Sequence, residues 1–386
     1  MPDAVVASLA RTRVWVSVAF ALQGLMLALV LTNLPGLKER TGIGESEVSL
    51  VVLTVLLFAA AGTLLAGWIA PRRGSAAVLV PAFALQAAAL LLLMIDLPFV
   101  ALFPVFAILG LGVGFGDAGI GMQGLTVQRA YGRSLINSFF AFQTGAAIAG
   151  ALIVAAIAGL DLSFEIGFLI AAVIALAALP GLMRGLARDP EQGLPESTKR
   201  PLPWRTLTLF GLVIAIVYIG DGVVSTWSSV YLEDTLLAAA VVVPLGYAAY
   251  QGAVLLARLF GDRIVGAVGR VAVITTAVLL ATAGLVLAAA ASAPWVAVAG
   301  FAITGLGLGV IVPITFAAAG DVAPDQVDEI VSRLNLFNYV GVVIGSALTG
   351  VIADATNWHV ALLVPAALIL GILTVSRTFK ERALAA

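Results

Sequence analysis

Two aspartates stand where a carboxylate is destabilising. Asp117 and Asp221 each lie well inside a long apolar run. An acid near a bilayer centre costs about 2.5–3.5 kcal/mol on insertion scales, so such a residue is by default a functional hypothesis. A carboxyl group in a low-dielectric site holds its proton more tightly than in water, which suits it to binding and releasing one near neutral pH. Each acid shares a helix-spaced face with other small or polar residues: Gly110, Gly114, Asp117 and Gly121 in one run, Tyr218, Asp221, Ser225 and Ser228 in the other. Small residues around Asp117 would leave room for water or a ligand. The blander reading of each acid is a hydrogen bond to a neighbouring helix that fixes packing.

Further polar groups punctuate the apolar runs: Gln23, Asn33, Gln123, Gln143, Tyr247, Tyr250, Gln251, Asn335, Asn338 and Tyr339. Amides and phenols offer hydrogen bonds to a ligand without a full desolvation cost. They equally well join helices, each for about 0.6 kcal/mol on average. No lysine or arginine falls deep in a run, so a strongly anionic substrate would lack a fixed counter-charge, and neutral or cationic solutes fit better. The absence of cysteine excludes disulfides, thiolate metal sites and thiol nucleophiles. The one histidine, His359, stands beside Trp358 at the end of a run and reads as an interfacial residue. An intramembrane enzyme would need a nucleophile, base or metal cluster that these residues do not supply; neither an enzyme nor a cofactor is expected. The stretch from Gly110 to Gly116 superficially resembles a nucleotide-binding loop, but within an apolar run it reads as close helix packing, as do Gly341, Gly345 and Gly350.

These residues need apolar helices to hold them. Apolar residues make up 62% and charged residues 11% of the 386, against roughly 45–50% and about 25% in soluble domains. Mean hydropathy is +1.13, and the apolar runs have the length of a bilayer core of about 30 Å. Spans are predicted near 14–34, 48–70, 76–95, 99–123, 136–159 and 163–183, then near 207–230, 241–260, 270–291, 295–319, 333–354 and 358–377. The first reads as an uncleaved helix rather than a signal peptide. Residues 184–205, with Asp189-Pro190, Pro195, Lys199-Arg200-Pro201 and Pro203, are too polar to span and read as a linker between segments 1–183 and 206–386. With both termini cytoplasmic, 18 of the 20 Lys and Arg lie inside and only Lys38 and Arg40 outside, as the positive-inside rule requires. A multi-pass protein of a cell (inner or plasma) membrane follows. The net charge of −1 gives no pointer to nucleic acid.

A shift of 195 residues lays Ala107-Ile108-Leu109-Gly110-Leu111-Gly112-Val113-Gly114 over Ala302-Ile303-Thr304-Gly305-Leu306-Gly307-Leu308-Gly309, with six of eight positions identical. The same shift brings Gly74 onto Gly269, Gln143 onto Asn338 and Gly150 onto Gly345. Two parallel six-helix repeats are a transporter architecture, with the site near the midplane between halves.

After the second span comes Gly67-Trp68-Ile69-Ala70-Pro71-Arg72-Arg73-Gly74, and after the eighth Arg258-Leu259-Phe260-Gly261-Asp262-Arg263, then Gly269-Arg270. Here the sequence resembles the major facilitator superfamily, whose loop between helices two and three carries glycine, aspartate, arginine and further basic residues. The resemblance implies an all-α integral membrane fold of twelve helices in two pseudo-symmetric six-helix bundles. It also implies alternating access, a cavity lined by helices one, four, seven and ten that both acids would face, and a cytoplasmic gate at Arg72, Arg258, Asp262 and Arg263. Pro71 replaces the first-half aspartate, which puts a symmetric gate in doubt; the plain alternative is topogenic arginine in a tight turn. Met122-Gln123, Arg129, Arg258, Gly261-Asp262-Arg263 and Gly269 are faintly similar to the YbjJ-like and fucose-permease-like branch. The expectation is a monomeric, proton-coupled secondary transporter of a small neutral or cationic solute. A multidrug or metabolite exporter of the same fold and a non-transporting sensor or scaffold are the alternatives. The stretch from Gly145 to Gly150 lacks the proline-containing glycine motif of drug–proton antiporters, which argues against the exporter.

Overall fold

The computed structural model describes residues 3–131, 135–186, 204–322 and 327–379. Most of the expected linker, residues 187–203, lies outside the described residues. The chain divides into two compact units, Met1–Gly193 and Leu194–Ala386, and the described residues are almost wholly helical.

In the first unit α1 covers Asp3–Thr32. It breaks at Asn33, because Pro35 in the first turn of α2 (Leu34–Thr41) has no N–H to continue the α1 ladder. α3 (Glu45–Arg73) opens with Glu45 and Glu47 in its first turn, where acids suit the helix dipole, and closes on Arg72 and Arg73. α4 (Ala76–Leu92), α5 (Phe99–Tyr131), α6 (Ile136–Gly159) and α7 (Glu165–Gly185) follow. α5 has 33 residues, about 50 Å at 1.5 Å per residue, and so outreaches the apolar core of a bilayer. α3 packs on α5, α1 on α6, and α4 on both α5 and α7. The core between them holds Phe20 stacked on Phe139 with ring centroids 5.3 Å apart, together with Phe83, Phe106 and Phe168. The outer faces stay apolar, with Leu64 76% and Val100 75% exposed, the surface that lipid rather than water solvates. The two basic residues expected outside are ion-paired, Lys38 with Glu45 at 3.0 Å and Arg40 with Glu165 at 3.1 Å.

The second unit begins with α8 (Trp204–Val230), which runs into a π-turn at Tyr231–Thr235. α9 (Leu245–Val268), α10 (Arg270–Ala289) and α11 (Pro294–Gly320) come next. α12 (Val327–Val343) continues through a second π-turn, Ile344–Leu348, into α13 (Thr349–Ala355). α14 (Trp358–Gly371) is capped by Asn357, whose side chain accepts from Val360 N, and tightens into a 3₁₀ stretch over Ile372–Phe379.

Ten helices among the described residues are long and apolar enough to cross a membrane. α4 is apolar but has only 17 residues, and α9 is interrupted by Tyr247, Tyr250, Gln251 and Arg258. One boundary moves: α9 continues to Val268, so Arg258, Asp262 and Arg263 stand on its last turns rather than in a turn after it. The turn itself is at Gly269, with φ +80°, and its first-half equivalent is Gly74, with φ +82°. Both lie in the left-handed region that favours glycine.

The 195-residue repeat recurs as backbone contacts. In α5, a Cβ on Gly110 would overlap the Val55 carbonyl and one on Gly114 the Ala59 carbonyl. In α11, the equivalent Gly305 meets the Tyr250 carbonyl and Gly309 the Val254 carbonyl. Gly112 lies against the Ala82 carbonyl, and Gly307 against that of Ala277. Every one of these partners is also displaced by 195. Each unit therefore builds the same close crossings, α3–α5 and α4–α5 in one, α9–α11 and α10–α11 in the other.

Candidate functional site

Asp117 sits on α5, half-buried, and its Oδ1 accepts from Gln23 Nε2 of α1 at 2.9 Å. Gln23 Nε2 also donates to the Val113 carbonyl at 3.3 Å. Behind it, Gln86 Nε2 of α4 donates to Gln23 Oε1 at 3.1 Å and to the Gly112 carbonyl at 3.2 Å. Both glutamines are 1% exposed. Glycine is needed for this route: a Cβ on Gly116 would overlap Gln23 Oε1, and one on Gly112 would come within 2.8 Å of Gln86 Cγ. The room expected beside the acid is found only in part. Gly110 and Gly114 are filled by the α3 backbone, whereas a Cβ on Gly121 would meet nothing within 4 Å.

Asp221 sits on α8, and its Oδ1 accepts from the Tyr250 hydroxyl of α9 at 2.6 Å. The two share a void of about 20 Å³ with Tyr218, Arg258, Val312 and neighbouring apolar residues, room for about one water. Tyr250, Val254 and Arg258 follow at four-residue steps on one α9 face, which carries the phenol and the guanidinium to the same acid. No basic residue falls deep in a run by sequence, yet Arg258 reaches the acid: α9 continues past the predicted end near residue 260, and an arginine side chain is long enough to point back along it. The larger concavity in the first unit, about 450 Å³ and lined by Arg13, Ser17, Ala21, Tyr131 and Phe142, shares no residue with either acid.

The remaining expected contacts separate into two groups. Gln251 Nε2 donates to the Tyr247 hydroxyl at 2.9 Å, one helical turn from Tyr250. Gln143 and Asn338 occupy equivalent positions, are half-buried, and have no side-chain hydrogen bond among the described residues. By contrast, Asn33 returns its amide to the Leu29 carbonyl at 2.8 Å at the α1 break, and Gln123 donates to Ser75 Oγ at 2.8 Å. Arg72 donates to the Trp68 carbonyl at 2.5 Å and lies 4.4 Å from that ring's centroid. Arg263 is exposed, and the side chains of Asp262 and Asn335 lie outside the described residues. Along the Asp221 face, Ser228 is buried without a partner among the described residues. His359 Nδ1 contacts the Ala289 carbonyl.

Two features escape a sequence reading. Gln86 is a single amide inside a run of alanine and leucine, and only its spacing from the glycines it must pass could have flagged it. The other is the π-turn at Ile344–Leu348: Trp227 Nε1 donates to the Ser346 carbonyl at 2.7 Å and Thr226 Oγ1 to Ser346 Oγ at 2.9 Å. A π-turn frees a main-chain acceptor that an α-turn would occupy.

The profile of the Major Facilitator Superfamily matches residues 16–236 and 210–383, nearly the whole chain. The chain belongs to the major facilitator superfamily. It is a multi-pass membrane transporter of that superfamily, with the superfamily's helical fold. An uncharacterized MFS-type transporter of Yersinia pestis is 27% identical over 357 residues, 89% of each chain. An uncharacterized transporter of Sinorhizobium fredii is 25% identical over 350 residues, 89% of this chain and 91% of its own. The membrane protein MosC of Rhizobium meliloti is 31% identical over 157 residues, 41% of this chain and 39% of its own. Among solved structures, a substituted form of the nucleoside transporter NupG superposes with a TM-score of 0.77 over 96% of this chain and all of its own, at 13% identity. The human organic anion transporter MFSD10 superposes with 0.68 over 95% and 99%, at 15% identity. At such identities the likeness is one of fold.

Proposed function

We propose that this superfamily member is a proton-coupled secondary transporter of a small neutral or cationic solute, working by alternating access as a monomer in the cell (inner or plasma) membrane with both termini cytoplasmic. The observation that carries the reading is a polar network around each intramembrane acid, Gln23 and Gln86 about Asp117 and Tyr250 and Arg258 about Asp221. Hydrogen-bonded ionisable groups inside a membrane mark ion and substrate pathways. Asp221 has Arg258 at the same void, whereas no basic residue among the described residues is hydrogen-bonded to Asp117. The surplus of negative charge favours a neutral or cationic solute carrying hydrogen-bond donors, and Gln143, Asn338 and Tyr218 are its further contacts. We place the units of the transporter at 1–183 and 206–386, joined by a cytoplasmic linker, and the gate at Arg72, Asp262 and Arg263, with Arg258, expected at the same gate, at the Asp221 void.

A thermal-shift screen of sugars, amines, nucleosides and antibiotics at two pH values identifies the ligand class, because a ligand that binds only the folded state raises its stability. Nucleosides head the screen because a nucleoside transporter shares the fold at a TM-score of 0.77. The strongest hit then serves as cargo in proteoliposomes. Asp221→Asn and Asp117→Asn are each expected to lower proton-driven accumulation at least tenfold. Unchanged accumulation in both variants would refute the coupling assignment, and an absence of counterflow in the unsubstituted protein would refute transport.

A further inference from the structure

We propose that Gln86 is a positioning residue that acts through Gln23 to hold Asp117 as a hydrogen-bond acceptor at Oδ1, leaving Oδ2 for a donor group of the substrate. The proposal rests on reading Asp117 as a transport residue. Its geometry begins with two main-chain carbonyls. The carbonyls of Gly112 and Val113 can only accept. The group that Gln86 turns toward the Gly112 carbonyl at 3.2 Å must therefore be its NH₂, and the same nitrogen is 3.1 Å from Gln23, so Gln23 presents its oxygen there. The Gln23 NH₂ is then directed at the Val113 carbonyl, 3.3 Å away, and at Asp117 Oδ1, 2.9 Å away. Two consecutive carbonyls of α5 thus fix the polarity of both amides, and the polarity ends on the carboxylate.

Without Gln86, only the 3.3 Å contact to the Val113 carbonyl still opposes a half-turn of the Gln23 amide that would present its carbonyl oxygen to Asp117. That arrangement is attractive only if Asp117 carries a proton. Gln86 therefore selects which form of Asp117 the α1 amide supports, from a position with no contact to the acid. Oδ2 has no partner among the described residues, and Gly121 leaves open space one turn further along the same face. A protonated amine or a hydroxyl is the chemistry that completes this carboxylate.

Carbodiimide chemistry reads the arrangement without a known cargo. N,N′-dicyclohexylcarbodiimide adds to a protonated carboxyl in apolar surroundings: the O–H proton moves to a carbodiimide nitrogen, the carboxyl oxygen bonds to the central carbon, and acyl migration to nitrogen leaves a stable N-acylurea. Asp117 is the only acid within Phe99–Tyr131 and Asp221 the only one within Trp204–Val230, so peptide mass spectrometry of the purified full-length protein assigns each product. Gln86→Met, which keeps length and removes the amide, is expected to raise labelling at Asp117 at least threefold and to leave Asp221 unchanged. Unchanged labelling at Asp117 would overturn the proposal, as would an equal rise at both acids, which reports general loosening. Should Gln86→Met not fold, Gln86→Leu, an apolar side chain of the kind that surrounds it in α4, is read in the same way. Because none of this depends on transport, failure here is separate from a finding that Asp117→Asn transports normally.

Discussion

A phenol 2.6 Å from Asp221 Oδ1 and an amide 2.9 Å from Asp117 Oδ1 give the two acids the same kind of support with different chemistry around it. A hydrogen bond to a charged group contributes about 1.5–3 kcal/mol, and about 1.4 kcal/mol is a factor of ten. Tyr250→Phe keeps the ring and removes the donor. It is expected to lower proton-driven accumulation about tenfold while substrate counterflow, which needs no proton gradient, continues; equal loss of both would show that the phenol serves packing alone. At this scale the sequence was informative where a side chain is anomalous by itself. A charge inside an apolar run is visible without knowing its neighbours, and so Asp117 and Asp221 stand out. The partner of a buried amide is decided by tertiary packing, so Gln86 stayed hidden, and the runs alone do not show that Asn33 and Gln123 engage Leu29 and Ser75.

The helices depend on close approach at glycine. At the α3–α5 crossing an added methyl on Gly114 would overlap the Ala59 carbonyl. At the α9–α11 crossing a methyl on Gly309 would lie 2.9 Å from Ala257 Cβ and 3.0 Å from the Val254 carbonyl, and on Gly121 it would meet nothing within 4 Å. Alanine is intrinsically better than glycine in a helix by roughly 1 kcal/mol, while overpacking a tight contact costs about 1–3 kcal/mol. Thermal unfolding of the purified protein should therefore rank the three Gly→Ala variants, with position 114 the least stable, 309 intermediate, and 121 equal to or above the parent. A different order would contradict the crossings. Spans were legible because length and apolarity alone define them. Their ends were less so: α9 extends to Val268 through Arg258, Asp262 and Arg263, since a helix tolerates charges that a hydropathy window counts against it. The π-turn at Ile344–Leu348 left no mark in composition, because it is stabilised by Trp227 and Thr226 from another helix.

For the whole molecule the strongest sequence signal was the distribution of charge, with 18 of 20 basic residues on one side of the predicted topology. The chain has no cysteine, so a single introduced thiol reports without background. In intact cells a membrane-impermeant maleimide is expected to label Glu39→Cys, which lies on the exposed side of α2, and to leave Arg73→Cys unlabelled until the membrane is permeabilised. The reverse pattern would invert the topology. The repeat was equally legible, because a constant offset of 195 survives in glycine-rich sequence that tolerates little change.

That offset also gives the molecule a history. Two halves that place glycine against carbonyl at the same three positions descend most simply from one duplicated half, and those crossings are what both copies keep. The acids obey no such correspondence: position 117 maps onto Val312 and position 221 onto Met26, while Gln86 maps onto Ala281. Ionisable chemistry is thus the layer in which the two copies differ, upon a frame that both keep. Divergence among relatives should accumulate at the acid positions, changing what is carried, long before it reaches the glycines that decide how the helices meet.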